Sequence, residues 1–423
     1  MEQDLVMHDF QYRNNELFCE DLSVADIAKD VKTPFYLYSH ETLRRHFRAF
    51  DDSFNGIDHL TCFSMKSNSN MAVLRLFANE GGGVDIVSGG ELYRAVKAGI
   101  DPGKIVYSGV GKTVEELEYA VSCDILMFNS ESEQELIALN DAAKRLNRKA
   151  RVSIRVNPDV DPETHPYIST GLKENKFGID IKKSLEQYRV AAGLKNLTVT
   201  GVSCHIGSQL TKVSPFVDSI RKIKDLISGL KEAGIHIRYL DMGGGLGITY
   251  NEEKPPLPAE YAAAIRKELG STDLTLILEP GRVLVGNACI LVAKVLYTKS
   301  TGDKNFIIVD AAMNDLMRPS LYGSFHGIHA DKAKNGQRIR ADIVGPICES
   351  GDFLAKDREV EPLERGDLLA VMSAGAYGFS MSSNYNSRPR VAEVMVKADK
   401  YAVIRRRETY EDLVKGEEVP DFI

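Results

Sequence analysis

The chain has 423 residues, 43% hydrophobic and 27% charged, an ordinary globular composition with room for one large domain and a smaller one. A net charge of −7 argues against a nucleic-acid partner, because phosphate backbones demand a basic surface. Six scattered cysteines without a C-x-x-C pair indicate neither a disulfide framework nor a zinc site. No apolar run reaches the ~20 residues of a membrane span, and the acidic opening segment does not read as a signal peptide. No metal, no membrane partner and a cytoplasmic setting are therefore expected.

Residues 8–20 read as strand and 23–30 as a short helix. Together they are too short to fold alone, so segment 1–33 is expected to join a β domain formed elsewhere in the chain. Strands and helices then alternate. Eight short apolar runs, at 60–65, 84–87, 104–107, 124–128, 150–156, 199–206, 237–242 and 274–279, end in polar or glycine-rich residues, with helical patterns such as 89–98, 131–146 and 214–233 between them. That alternation predicts parallel βα units. Eight such units fit a closed (β/α)8 barrel better than an open sheet, and the barrel is assigned to 34–283. Beyond it, 287–297, 305–309, 367–372, 391–397 and 401–405 are strand-like, so 284–423 is predicted to be a mostly β domain completed by the N-terminal segment. The charged tail 406–423 reads equally as a solvated helix or a subunit contact.

Active residues of a barrel of this kind sit at the C-terminal ends of its strands. Those ends carry Lys66, Asp85 with Ser88, Asn157, His205, the glycines Gly243, Gly244 and Gly245, and Glu279 with Arg282. A lysine there forms a Schiff base with a carbonyl substrate, holds pyridoxal phosphate, or is merely a solvated surface group. Three adjacent glycines after a buried strand make a backbone nest for phosphate, or a flexible turn; their spacing is not the dinucleotide fingerprint. Arg282 is a charge-assisted partner for that phosphate or a surface turn residue. Glu279 discriminates among these readings. A carboxylate beside the ring nitrogen of pyridoxal phosphate keeps it protonated and the ring an electron sink, whereas an aldolase needs no such group. His205 is suited to stacking on a flat ring, or to a core with both nitrogens satisfied, and Ser208 to facing a phosphate. Asn157 and segment 159–178, with His165, Lys176 and Phe177, read as a lid or pocket loop.

Together, FSMKSNSN (63–70), VDIVSGGEL (84–92), HIGSQ (205–209), GGGLG (243–247) and EPGR (279–282) resemble, in order, the motifs of the fold-type III pyridoxal-phosphate-dependent decarboxylases. The family usually has alanines where Ser64 and Ser67 stand here. The resemblance implies that Lys66 holds the cofactor as a Schiff base supported by Asp85 and that His205 stacks on its ring. It further implies that Ser208, Gly243 to Gly245 and Arg282 hold or flank the phosphate, and that Glu279 pairs with the ring nitrogen. CESGD (348–352) is similar to the family's catalytic-cysteine loop, so Cys348 is implied to protonate the decarboxylated carbon. MNDLMRPSLYG (313–323) and GAYGFSMSSNYNSRPR (375–390) resemble the branch acting on meso-diaminopimelate, the last step of bacterial lysine biosynthesis. In that branch Arg318 and Tyr322 bind the distal carboxylate, Glu349 the distal ammonium, and Tyr377 reaches cofactor or substrate; Arg282 also lines the substrate site. The resemblance implies a homodimer with shared active sites, Cys348 and Glu349 coming from the neighbouring subunit.

Related decarboxylases acting on arginine, ornithine or carboxynorspermidine are the nearest alternatives. A buried arginine aimed at the distal end disfavours the first two, whose substrates present only a cation there. A racemase wants an arginine where Glu279 stands. A non-catalytic cofactor carrier lacks the C-terminal β domain, and a Schiff-base aldolase leaves Glu279 and CESGD unexplained.

Overall fold

The computed structural model describes residues 8–161, 176–302, 304–334, 336 and 338–423. The chain divides into two compact units, one of residues 44–249 and 253–284, the other of residues up to 43, 250–252 and 285–423.

In the first unit, eight strands pair in parallel. They are His59–Ser64, Gly83–Ile86, Ile105–Tyr107, Met127–Ser130, Ala150–Asn157, Leu197–Ser203, Tyr239–Asp241 and Thr275–Leu278. The eighth pairs with the first, Ile277 opposite Leu60, and closes the ring. The eight apolar runs of the sequence are these strands. The fourth begins three residues later than its run, because the carbonyls of Ile125 and Leu126 are taken by the Arg151 guanidinium on the fifth strand. Helices follow the strands, and side-chain caps set where several begin. Asn70 caps Met71–Asn79, Ser88 caps Gly89–Ala98, Ser132 caps Glu133–Arg145, and Thr113 with Glu116 forms a capping box on Val114–Cys123. Helix Gly89–Ala98 buries Leu92, Ala95 and Ala98, a spacing of three that turns one face to the barrel. The loops leaving the first four strands are thus pinned a few residues later by these caps.

The second unit is built on a sheet with strand order Phe353–Val360, Ile339–Val344, Lys304–Val309, Cys289–Thr301, Phe35–Ser39, Ala392–Lys397, Lys400–Arg405. Leu368–Val371 pairs with both Cys289–Thr301 and Ile328–Ala330. Residues 34–43, grouped with the barrel on sequence, lie in this unit. Every residue of Phe35–Ser39 is buried, and the strand runs antiparallel to Cys289–Thr301 and parallel to Ala392–Lys397. Strands covered on both faces lose the alternation that would tell them from barrel strands. The N-terminal hairpin, Phe10–Arg13 with Glu16–Cys19, sends Phe10, Leu17 and Cys19 into an apolar cluster with Phe35, Ile290, Val292 and Val394. Each fully buried Phe, Leu, Ile or Val among them contributes about 1.5–3 kcal/mol by leaving water. Among the described residues no helix is long and apolar enough to cross a membrane.

Candidate active site

The mouth at the C-terminal ends of the barrel strands collects the residues singled out there. Lys66 lies on a 3-10 turn, Met65–Ser67, directly after the first strand. Its Nζ is 3.1 Å from Asp85 Oδ2, and Ser64 Oγ donates to the same oxygen at 2.8 Å. Asp85 is fully buried, and its Oδ1 has no hydrogen-bond partner among the described residues. One oxygen therefore anchors the lysine, while the other remains an acceptor without a donor.

Across the mouth, Glu279 and Asp241 form a buried acid pair. Asn129 Nδ2 donates to Asp241 Oδ2 at 2.8 Å and reaches Glu279 Oε1 at 3.4 Å, and Ser108 Oγ lies 3.3 Å from that same Oε1. Burial, then the negative charges of Asp241 and Asp85, push the Glu279 carboxyl well above the usual range. Burial likewise lifts Asp241, to about 6. Two carboxyls that resist ionising together accommodate a cation, and a protonated aromatic nitrogen is such a group. The pyridoxal-phosphate reading thus fits the donor set.

The glycine loop is constrained by its neighbours. A Cβ on Gly243 would lie 2.7 Å from Cys204 O and from His205 Nδ1, and one on Gly244 would lie 2.1 Å from Glu279 O. Gly243 also adopts φ +66°, where side chains are disfavoured. The N–H of Gly243 is spent on Asp241 Oδ1 at 2.9 Å and that of Gly244 on His205 Nδ1 at 3.2 Å. The sequence assigned all three glycines to an anion; in the fold the first two bind Asp241 and His205. Because His205 Nδ1 accepts a hydrogen bond, a neutral ring carries its proton on Nε2. Burial, with Arg155 and Lys66 adding to it, drives this imidazole well below its ordinary pKa and keeps it neutral. Ser208 and Arg282, on different loops, meet at 3.2 Å. The EPGR loop also seats on the lysine turn, since Ser64 N–H donates to Pro280 O at 3.0 Å.

The strand-end survey missed Ser64, Ser108, Asn129 and Asp241. Ser108 and Asn129 stand at the ends of the third and fourth strands, the same positional signal that identified Lys66. Ser88 serves as a helix cap, and Asn157 Oδ1 accepts from Asp159 N–H. Phe177 lies under the Arg155 guanidinium at 4.8 Å. His165 and the rest of 162–175 lie outside the described residues.

Glu91 gives this rim a pH dependence. Its Oε2 accepts from Val87 N–H at 2.7 Å, and burial, reinforced by Asp85, lifts its pKa from 4.5 to about 7 against the opposing Val87 N–H, Lys66 and Arg94. Unfolded chains release this proton near 4.5, whereas the folded chain holds it to about 7. Stability from this group therefore falls as pH rises through that window, and the loss is complete above it. Glu91→Gln should stabilise the cofactor-free protein by on the order of 2 kcal/mol at pH 8 and by almost nothing at about pH 4, below the unfolded-chain value. Denaturation at both values checks this; an equal effect at both would refute the assignment.

The sheet unit carries the remaining candidates. Arg318 opens the short helix Arg318–Tyr322 and is buried. Cys348 is exposed, its N–H held by Asn386 Oδ1 at 2.9 Å, and Tyr385 Oη lies 3.1 Å from Glu349 Oε2. Asp352 ties this loop to the one before Arg318, accepting from Ile347 N–H at 2.8 Å and Met313 N–H at 2.7 Å. Tyr377 adopts φ +56° between Gly375 and Gly378; a Cβ on Gly375 would lie 1.9 Å from Val285 O.

Residues 40–286 match the family model described as the pyridoxal binding domain of pyridoxal-dependent decarboxylases. The chain is 52% identical over 411 residues to the diaminopimelate decarboxylase of Pseudomonas aeruginosa, covering 97% of this chain and 99% of that one. It is similar to the crystal structure of diaminopimelate decarboxylase from Helicobacter pylori complexed with L-lysine, with TM-score 0.89, 44% identity, and 92% and 98% of the two chains covered. The corresponding L-lysine complex from M. jannaschii gives TM-score 0.94 at 39% identity, covering 98% and 99%.

Proposed function

We propose the function from one premise: the chain belongs to the pyridoxal-dependent decarboxylases and, among them, to the diaminopimelate decarboxylases. It converts meso-2,6-diaminopimelate to L-lysine and CO2. The observation that carries this reading is the pairing, at one barrel mouth, of the Asp85-anchored Lys66 with the buried acids Glu279 and Asp241.

Bound pyridoxal phosphate supplies an electron sink for the pair released when the C–CO2 bond breaks. The chain's residues do the rest. Lys66 holds the cofactor covalently, and Asp85 keeps its amine in place. Glu279, backed by Asp241 and Asn129, holds a proton at the ring nitrogen. His205, kept neutral by burial, would stack on the ring without adding a competing charge. Ser208, Arg282 and the Gly243–Gly245 loop hold the phosphate, with Gly245 the glycine whose N–H we assign to it. In the sheet unit, Arg318 and Tyr322 bind the distal carboxylate, Glu349 binds the distal ammonium, and Tyr377 contacts cofactor or substrate. The Cys348 thiol gives its proton to the carbon that CO2 leaves, and the thiolate regains one from solvent, so one proton is taken up per turnover.

Cys348 and Glu349 are assigned to the site of a second copy in a homodimer. The support is that a catalytic thiol and a recognition carboxylate both lie exposed on the single chain. Lys66→Ala and Cys348→Ala chains, each inert, should regain about one-quarter of parental activity when dissociated and remixed, because half the dimers are mixed and each of those has one intact site. No recovery would refute sharing. Six free thiols support a reducing, cytoplasmic setting.

Lysine and CO2 are measured after adding meso-diaminopimelate to cofactor-loaded protein. Release of both, with ornithine and arginine left intact, is the expected result. Cofactor binding without diaminopimelate turnover would overturn the substrate assignment.

A further inference from the structure

Arg318 is held by a neighbour that neither the motifs nor the reaction assigned. Its Nη1 lies 3.1 Å from His326 Nε2, and its Nη2 donates to Ser324 Oγ at 3.2 Å. The Tyr250 ring covers the guanidinium at 4.6 Å and meets the His326 ring edge-on at 5.3 Å and 72°. His326 is fully buried, and its Nδ1 lies 2.8 Å from Met372 O.

These contacts fix the imidazole's chemistry. A backbone carbonyl only accepts, so His326 Nδ1 carries the proton. A guanidinium only donates, so His326 Nε2 presents its lone pair to Arg318. The ring is neutral, and its only satisfiable tautomer is an acceptor aimed at Nη1. A guanidinium reads a carboxylate through two parallel N–H groups only when its plane is set. His326 and Ser324 set the in-plane direction, and Tyr250 sets the face.

We propose that His326 is a positioning residue for substrate specificity, orienting Arg318 to receive the carboxylate at the end of the substrate remote from the reacting carbon. This rests on the reading of Arg318 given above. L-Lysine, the product, keeps that remote carboxylate as its own α-carboxylate. 1,5-Diaminopentane has the same chain and amines but no carboxylate. His326 therefore should govern binding of diaminopimelate and lysine and leave that of the diamine unchanged.

His326→Leu in the holoenzyme should raise KM for diaminopimelate and the inhibition constant of L-lysine each by about tenfold or more, the loss expected for a hydrogen bond to a charged group. kcat should change by less than about threefold, since the reacting carbon is untouched. The inhibition constant of 1,5-diaminopentane should not move. His326→Gln, whose amide oxygen accepts in place of Nε2, should restore most of the lysine affinity. Ser324→Ala, a one-atom removal that spares the fold, should shift the same two constants by about threefold in the same direction. Parental KM and lysine inhibition in both His326→Leu and Ser324→Ala would overturn the role. So would equal weakening of lysine and the diamine, which marks general damage. A parent enzyme inert to diaminopimelate yet loaded with cofactor would overturn the proposed reaction itself and this role with it.

Discussion

Replacing Lys66 with alanine is expected to cut turnover by at least about a thousandfold and to abolish the near-visible absorbance that a Schiff base between this lysine and pyridoxal phosphate would give. The argument is positional. Lys66 Nζ rests 3.1 Å from a fully buried aspartate whose same oxygen is also bonded by Ser64, so the amine is held where a cofactor aldehyde would meet it. Lys112, also near this mouth, is no substitute. Its ammonium is buried and committed to Glu135 at 2.7 Å, Gly109 O at 2.7 Å and Asn129 O at 3.0 Å. Borohydride reduction followed by peptide mapping should label Lys66 in the parent and nothing in the variant. A labelled variant, or one retaining a tenth of the activity, would remove Lys66 from its role.

Glu279→Gln is expected to lower kcat by about a hundredfold to a thousandfold with little change in cofactor content, the scale of removing one preorganised charge from a site that excludes water. Glutamine keeps an oxygen for Ser108 and Asn129, so the local network survives while the carboxyl proposed to hold the ring-nitrogen proton is lost. Asp241 is oriented by Gly243 N–H on its Oδ1 and by Asn129 Nδ2 on its Oδ2, contacts that the substitution leaves in place. Activity within tenfold of the parent, at full cofactor loading, would show that ring-nitrogen protonation does not depend on Glu279.

The barrel was legible because its signal is periodic and local. Eight apolar runs spaced by amphipathic helices leave few architectures, and the rule that chemistry collects at strand ends then selected Lys66, Asp85, His205 and Glu279. The second unit was harder to read. Phe353–Val360 carries lysine, aspartate, arginine and glutamate in direct succession, and bulges interrupt its pairing with Ile339–Val344. Ile328–Ala330 is three residues long. Neither offers a run of alternation long enough to stand out from a loop.

By itself the sequence determined the repeating βα framework, the residue types at each strand end and the family those motifs resemble, since all of these are written in contiguous residues. What only the tertiary structure decided are relations between residues far apart in the chain. Phe35–Ser39 belongs to the sheet with Cys289–Thr301 because pairing partners, not composition, choose a sheet. The acid pair depends on Asn129, Asp241 and Glu279 converging from three strands, where burial raises proton affinities that no isolated motif can set. The tautomer of His326 follows from a carbonyl 46 residues away on one side and a guanidinium on the other. Geometry at hydrogen-bond range fixes charge and proton position, and that range is reached only when the chain has folded.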